Sequence, residues 1–95
     1  MPEVELTVRN PSGLHARPAT LLVQAAGRFD SRITVANLDR DSQPVDAKSI
    51  LLLLTAGVSR GHRIRIAAEG GDAQAALEEL IRLVDSGLGE EVEPE

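Results

Sequence analysis

Residues 11–20, Pro-Ser-Gly-Leu-His-Ala-Arg-Pro-Ala-Thr, place an imidazole at position 15 and a guanidinium at position 17, just ahead of an apolar run, 21–26, that reads as helix. A helix start has backbone N–H groups without partners and a partial positive charge from its aligned peptide dipoles, so it receives phosphate well. Free imidazole is mostly unprotonated near pH 7, and the unprotonated ring is a nucleophile. The pattern therefore points to phosphoryl chemistry. His15 would attack a phosphoryl donor, and the arriving charge would be solvated by the backbone amides of Ala16 and Arg17 and by the Arg17 guanidinium, which can meet two oxygens at once. Gly13 opens backbone conformations closed to other residues and keeps the ring exposed. Pro18 suits a first helical turn, where its missing N–H would have gone unpaired. A residue before proline is biased away from helical angles, so the helix is expected to begin between Ala16 and Pro18.

Duller explanations apply to the other polar residues. A lone histidine in a small domain is more often incidental than functional, and only the flanking Gly, Arg, Pro and helix onset single out His15. His62 has no acidic or metal-ligand spacing around it and reads as a surface side chain. Ser49 opens an apolar stretch, where serine is a good helix cap.

The string Gly13-Leu14-His15-Ala16-Arg17-Pro18-Ala19 resembles the active-site signature of the HPr family, the histidine phosphocarriers of the bacterial sugar phosphotransferase system. The likeness extends to Lys48-Ser49-Ile50 and to Gly57 and Gly61, and covers nearly the whole chain. The resemblance implies a stoichiometric carrier, itself a substrate of other phosphotransferases and not an enzyme. Its His15 would take a phosphoryl group on Nδ1, the pros nitrogen, from phosphorylated enzyme I and pass it to enzyme IIA domains in sugar uptake. It also implies a docking face shared by those partners on the first two helices, here Thr20, Ile50, Leu51 and Leu54. Ser49 matches the serine that a dedicated HPr kinase/phosphorylase modifies in many Gram-positive bacteria, where phosphate would weaken binding to acidic partner faces. Two departures stand out: Asp46-Ala47 ahead of Lys48 differs from the family context, and the stretch between His15 and Ser49 is a few residues longer. Two alternatives remain in view. One is a regulatory paralogue, serving a nitrogen-type phosphorelay or acting through Ser49; the other is a plain interaction module that binds through Leu51 and Leu54 without chemistry.

Composition sets the outer bounds. Ninety-five residues without cysteine suit one small domain, free of disulfides and thiolate metal sites. No GxxxxGK[ST] loop and no metal-ligand set is visible, so no cofactor is expected. The longest apolar runs fall far short of a membrane span and the N-terminus carries no signal-peptide pattern, which leads to the expectation of a cytoplasmic monomer away from membranes. A single aromatic, Phe29, and a net charge of −5 argue against nucleic acid. Glu90, Glu91, Glu93 and Glu95 carry four of those charges, so residues 89–95 read as a loose, solvating acidic tail behind a domain at 1–88.

The elements that must hold His15 follow from periodicity. Val4-Glu5-Leu6-Thr7-Val8-Arg9 alternates as a half-buried strand, and Asn10-Pro11-Ser12-Gly13 is a turn cluster. The first helix, running to about Ala26, turns Ala19, Leu22, Val23 and Ala26 inward, and Phe29 anchors its exit. Alternation returns at 32–38. A short third strand at 43–46 carries Pro44, which marks an edge. An apolar block of one isoleucine and four leucines, 50–54, makes a short helix ending at Ala56-Gly57. That block cannot lie wholly on one buried face, and its blandest arrangement buries Ile50, Leu53 and Leu54 and exposes Leu51. A fourth strand covers 62–68. Asp72 is placed to cap a last helix with an apolar stripe of Ala73, Ala76, Leu77, Leu80, Ile81 and Val84, closed by Ser86-Gly87. The order βαββαβα with one apolar face per strand predicts an α+β fold, an open-faced sandwich in which a four-stranded antiparallel sheet carries three helices on one side.

Overall fold

The computed structural model describes residues 2–90. Its elements run β1 (Glu3–Thr7), α1 (Ala16–Ala26), β2 (Arg32–Asn37), β3 (Val45–Asp46), α2 (Ile50–Thr55), β4 (Arg63–Glu69) and α3 (Ala73–Asp85). The strands form one antiparallel sheet in the order β1-β4-β2-β3. The two-residue β3 is an edge, as Pro44 suggests.

Register places one side chain in two on the helix side. Val4 faces Ile66 and Leu6 faces Ile64 across β1 and β4, while Ile33 pairs with Ala68 and Val35 with Ile66 across β2 and β4. Ile33, Val35, Ile64, Ile66 and Ala68 are fully buried there. The alternate residues form the open face, where Arg65 meets the Glu5 carboxylate at 3.1 Å and Glu3 at 3.8 Å. A one-residue slip would exchange these faces, so the alternation specifies register.

The helices close the other side. α1 buries Pro18, Ala19, Leu22, Ala25 and Ala26, with Val23 packed partly against the core. α3 buries Ala73, Ala76, Leu77, Leu80 and Val84. Phe29 packs at the core's margin, and its carbonyl receives the Lys48 ammonium at 2.6 Å. In α2 only Leu53 is buried. Ile50 and Leu54, expected inside in the blandest arrangement, are instead 38% and 40% exposed, with Leu51 at 73% and Leu52 at 47%. A six-residue helix that contacts α1 and the short β3 has too little neighbouring surface to cover more than one leucine.

Two polar residues take roles other than those expected. Asp72 sits at the N-cap of α3 without bonding its helix; its carboxylate accepts from the Asp30 N–H at 2.9 Å and from the Ser31 N–H and hydroxyl. It ties the α1 exit to the α3 entry, where two backbone donors and a hydroxyl outcompete a single cap bond. His62 is half-buried, and its Nδ1 accepts from Asn37 Nδ2 and from the Ser59 N–H, both at 3.1 Å. It shapes the turn ahead of β4. The longer second hairpin is closed by Ser42, whose hydroxyl accepts from the Asn37 N–H at 2.7 Å.

Candidate functional site

The site begins where β1 hands the chain to α1. Asn10 is fully buried, its carbonyl accepts from the Gly13 N–H at 3.1 Å, and its Nδ2 donates to the Gly13 carbonyl at 2.9 Å. This local turn swings Leu14 into the core, where it is fully buried, and leaves His15 outside. The Leu14 N–H reaches the Val58 carbonyl at 3.0 Å, so the loop docks on the segment that follows α2. Gly13 is required by that approach. It stands at φ +61°, and a Cβ there would lie 2.4 Å from the Val58 oxygen.

His15 is the N-cap of α1, with extended backbone at φ −127° and ψ 161° and no capping bond from its ring. The imidazole is exposed and, among the described residues, uncommitted. Arg17 is exposed as well, and among the described residues it enters no salt bridge. Helix geometry gives the amides of Ala16 and Arg17 no carbonyl within α1 to bond, and Pro18 removes the next donor altogether. Ala16 adopts φ +52°, a left-handed conformation that alanine holds only against a penalty of about 1 kcal/mol. That residue is the hinge between the extended His15 and the helix.

Thr20, one turn into α1, is exposed and its hydroxyl donates back to the Ala16 carbonyl at 3.3 Å. Helices α1 and α2 pack against each other, which puts the exposed leucines of α2 on the same part of the molecule as α1. Ser49 caps α2: its hydroxyl accepts from the Leu52 N–H at 3.2 Å. Asp46, whose identity breaks the expected context, accepts from the Lys48 N–H at 2.9 Å and so builds the turn that presents Ser49.

The residue that sequence reasoning missed is Glu90. Its carboxylate accepts from Asn10 and twice from Ser12, and these bonds, Asn10's foremost, hold its carboxyl below the usual carboxylate range. Leu88 is fully buried and Glu90 is engaged, so the described part of the expected loose stretch is held against the domain. Residues 91–95, the rest of that acidic stretch, lie outside the described residues. No periodicity signals a carboxylate three residues beyond the Ser86-Gly87 helix stop; the Asn-Pro-Ser turn chemistry at 10–12 was the only available hint.

Fold and site together define a small open-faced sandwich that displays one histidine at the start of a helix. The family model described as "PTS HPr component phosphorylation site" matches residues 2–86. The chain is 49% identical over 86 residues to a multiphosphoryl transfer protein of Haemophilus influenzae, covering 90% of this chain but 17% of that protein. It is 43% identical to the phosphocarrier protein HPr of Treponema pallidum, covering 88% of this chain and 92% of that one. It is also 40% identical to the HPr-like protein Crh of Halalkalibacterium halodurans, covering 90% and 98%. Among solved structures, HPr of Thermoanaerobacter tengcongensis superposes with a TM-score of 0.90 at 43% identity, covering 97% of this chain and all of that one. The chain belongs to the HPr family of phosphocarrier proteins of the phosphotransferase system. It spans only about a fifth of the length of the multiphosphoryl transfer proteins it matches, between 17% and 23%.

Proposed function

We propose that this chain takes a phosphoryl group on Nδ1 of His15 from phosphorylated enzyme I and hands it to a histidine of an enzyme IIA domain in sugar uptake. The observation that carries the reading is an exposed imidazole at the N-cap of α1 that bonds nothing in its own helix, with the exposed Arg17 cation, which pairs with no carboxylate among the described residues, two residues on. In the transfer, the N–P bond to Nδ1 forms as the donor's N–P bond breaks, and the reverse happens at the acceptor. The carrier contributes position and charge. Arg17 and the Ala16 and Arg17 amides meet the equatorial oxygens, and no metal or nucleotide is called for. The chain acts as a stoichiometric cytoplasmic carrier and monomer, a substrate of the transferases that flank it. Ile50, Leu51 and Leu54 on α2, with Thr20 on α1, form the apolar face on which those partners dock.

Incubation with enzyme I and phosphoenolpyruvate tests the reading. Acid-labile phosphate should appear on His15 and be absent from His15→Ala; equal labelling of both proteins would end it.

A second reading is favoured by the likeness to Crh. Ser49 would be the phosphorylated residue, modified by an HPr kinase/phosphorylase, and the chain a regulator. The Ser49 side chain already sits at the mouth of α2 beside the exposed leucines, where a phosphate would change the charge of the docking face. Transfer of phosphate from ATP to Ser49 by such a kinase, lost in Ser49→Ala, would support it.

A further inference from the structure

The chain leaves α3 by a built stop. The Leu88 N–H reaches back to the Leu83 carbonyl and the Gly87 N–H to the Val84 carbonyl, both at 3.1 Å. This six-to-one and five-to-two pattern is the glycine-ended helix stop, with Gly87 at φ +93°. Leu88, fully buried, pins the exit, and Leu88 and Gly89 continue the left-handed turn at φ +51° and +83°. The Glu90 N–H then closes on the Gly87 carbonyl at 2.9 Å. Three successive left-handed residues fold the chain sharply back and lay Glu90 over the loop between β1 and α1.

There the carboxylate bridges two residues. Oε1 accepts from Asn10 Nδ2 at 3.0 Å and from the Ser12 N–H at 2.9 Å, while Oε2 accepts from the Ser12 hydroxyl at 2.8 Å. The same Asn10 Nδ2 donates to the Gly13 carbonyl, two residues before His15. Asn10 Oδ1, buried, has no partner among the described residues, so the amide is oriented by what its nitrogen donates to. Removing Glu90 strands a buried donor beside the Gly13 peptide and releases both Ser12 bonds, and an unpaired buried donor is unfavourable enough to reorganise its surroundings.

We propose that Glu90 is a positioning residue for the phosphoacceptor loop, holding Asn10 and Ser12 so that Gly13 and Leu14 present the His15 ring in transfer geometry. The inference rests on the reading of His15 as the phosphoacceptor. Since misplacement by an ångström from a remote change lowers rates severely, loss of the bridge should be visible in transfer kinetics.

The test compares the full chain with Glu90→Ala, Glu90→Gln and Glu93→Ala, the last a control for tail charge. Expected for Glu90→Ala is a drop in kcat/KM for phosphorylation by phospho-enzyme I of about fivefold or more, with faster hydrogen exchange at the Ser12 amide and an unchanged circular dichroism spectrum. Glu90→Gln, whose amide oxygen still accepts from Asn10 and the Ser12 N–H, should recover most of the rate, and Glu93→Ala all of it. A Glu90→Ala chain as fast as the parent, or a Gln variant as slow as the Ala variant, would overturn the proposal. If the parent is not labelled by enzyme I, the function reading fails by itself. Glu90 is then judged with phosphoramidate, which phosphorylates imidazole and releases ammonia without a partner: equal rates in parent and Glu90→Ala overturn the bridge, and a slower variant sustains it.

Discussion

At the scale of single residues, the site separates into side chains that are free to react and backbone that is forced to present them. Arg17 is exposed and contributes little to folding, so Arg17→Ala should leave the unfolding free energy within about 0.5 kcal/mol of the parent. If Arg17 meets the phosphoryl oxygens, the same change slows transfer from enzyme I by about 10²-fold, read as kcat/KM. Ala16 makes the opposite case. Its φ of +52° is natural for glycine, so Ala16→Gly should stabilise the fold by about 1 kcal/mol, measured by urea unfolding. The added freedom is expected to slow transfer, because the hinge beside His15 is then less restricted. Without coordinates, the residue types at 13–19 were legible as a helix start that presents a histidine. The left-handed turn at Ala16 was not, since alanine is among the last residues its local sequence would place there.

Elements decide how firmly the loop is held. Gly13 rests against the segment after α2, so Gly13→Ala brings its Cβ within 2.4 Å of the Val58 oxygen at a positive φ. A loss of about 3 kcal/mol is expected from overpacking and the left-handed penalty together, seen as a lowered urea midpoint with an unchanged slope. In α2 the situation reverses. Leu51 is 73% exposed, so Leu51→Ser should not move stability by more than about 0.5 kcal/mol. Under the proposed docking role it weakens enzyme I binding about tenfold, measured by calorimetry. The composition of α2 already required part of its apolar block to show. How much shows was decided by the shortness of β3, which leaves α2 little to pack against. The expected capping by Asp72 failed for a related reason: a carboxylate at a helix start takes whichever donors tertiary structure brings, and Asp30 and Ser31 arrive first.

For the molecule as a whole, three carboxylates among the described residues accept backbone N–H groups from distant parts of the chain. Asp72 links the α1 exit to α3, Asp39 receives the Arg63 N–H and pairs with its guanidinium at 3.6 Å, and Glu90 bridges the loop before α1. Each is held below the usual carboxylate range, Asp72 chiefly by the Ser31 hydroxyl, Asp39 by the Arg63 backbone N–H and Glu90 by the Asn10 amide. A lowered folded-state pKa means that the unfolded chain takes up protons first. The stability these groups supply is therefore present above the ordinary carboxylate pKa of about 4 and is lost as pH falls through the folded values. Thermal midpoints should be nearly level from pH 7 to about 5 and decline below about 4, and Asp72→Asn should make that decline shallower.

Strand alternation, helix stripes and the string around His15 determined by themselves the βαββαβα order, the single covered face of the sheet and the candidate phosphoacceptor, because these depend on periods of two and 3.6 residues and on neighbours in sequence. Only tertiary structure decided that Ala16 turns left-handed, that four of the five apolar residues of α2 are exposed, that His62 shapes the turn ahead of β4, and that Glu90 returns to grip Asn10 and Ser12. Each of those depends on groups far apart in the chain meeting at hydrogen-bond distance, and no local pattern encodes where a carboxylate will find its donors.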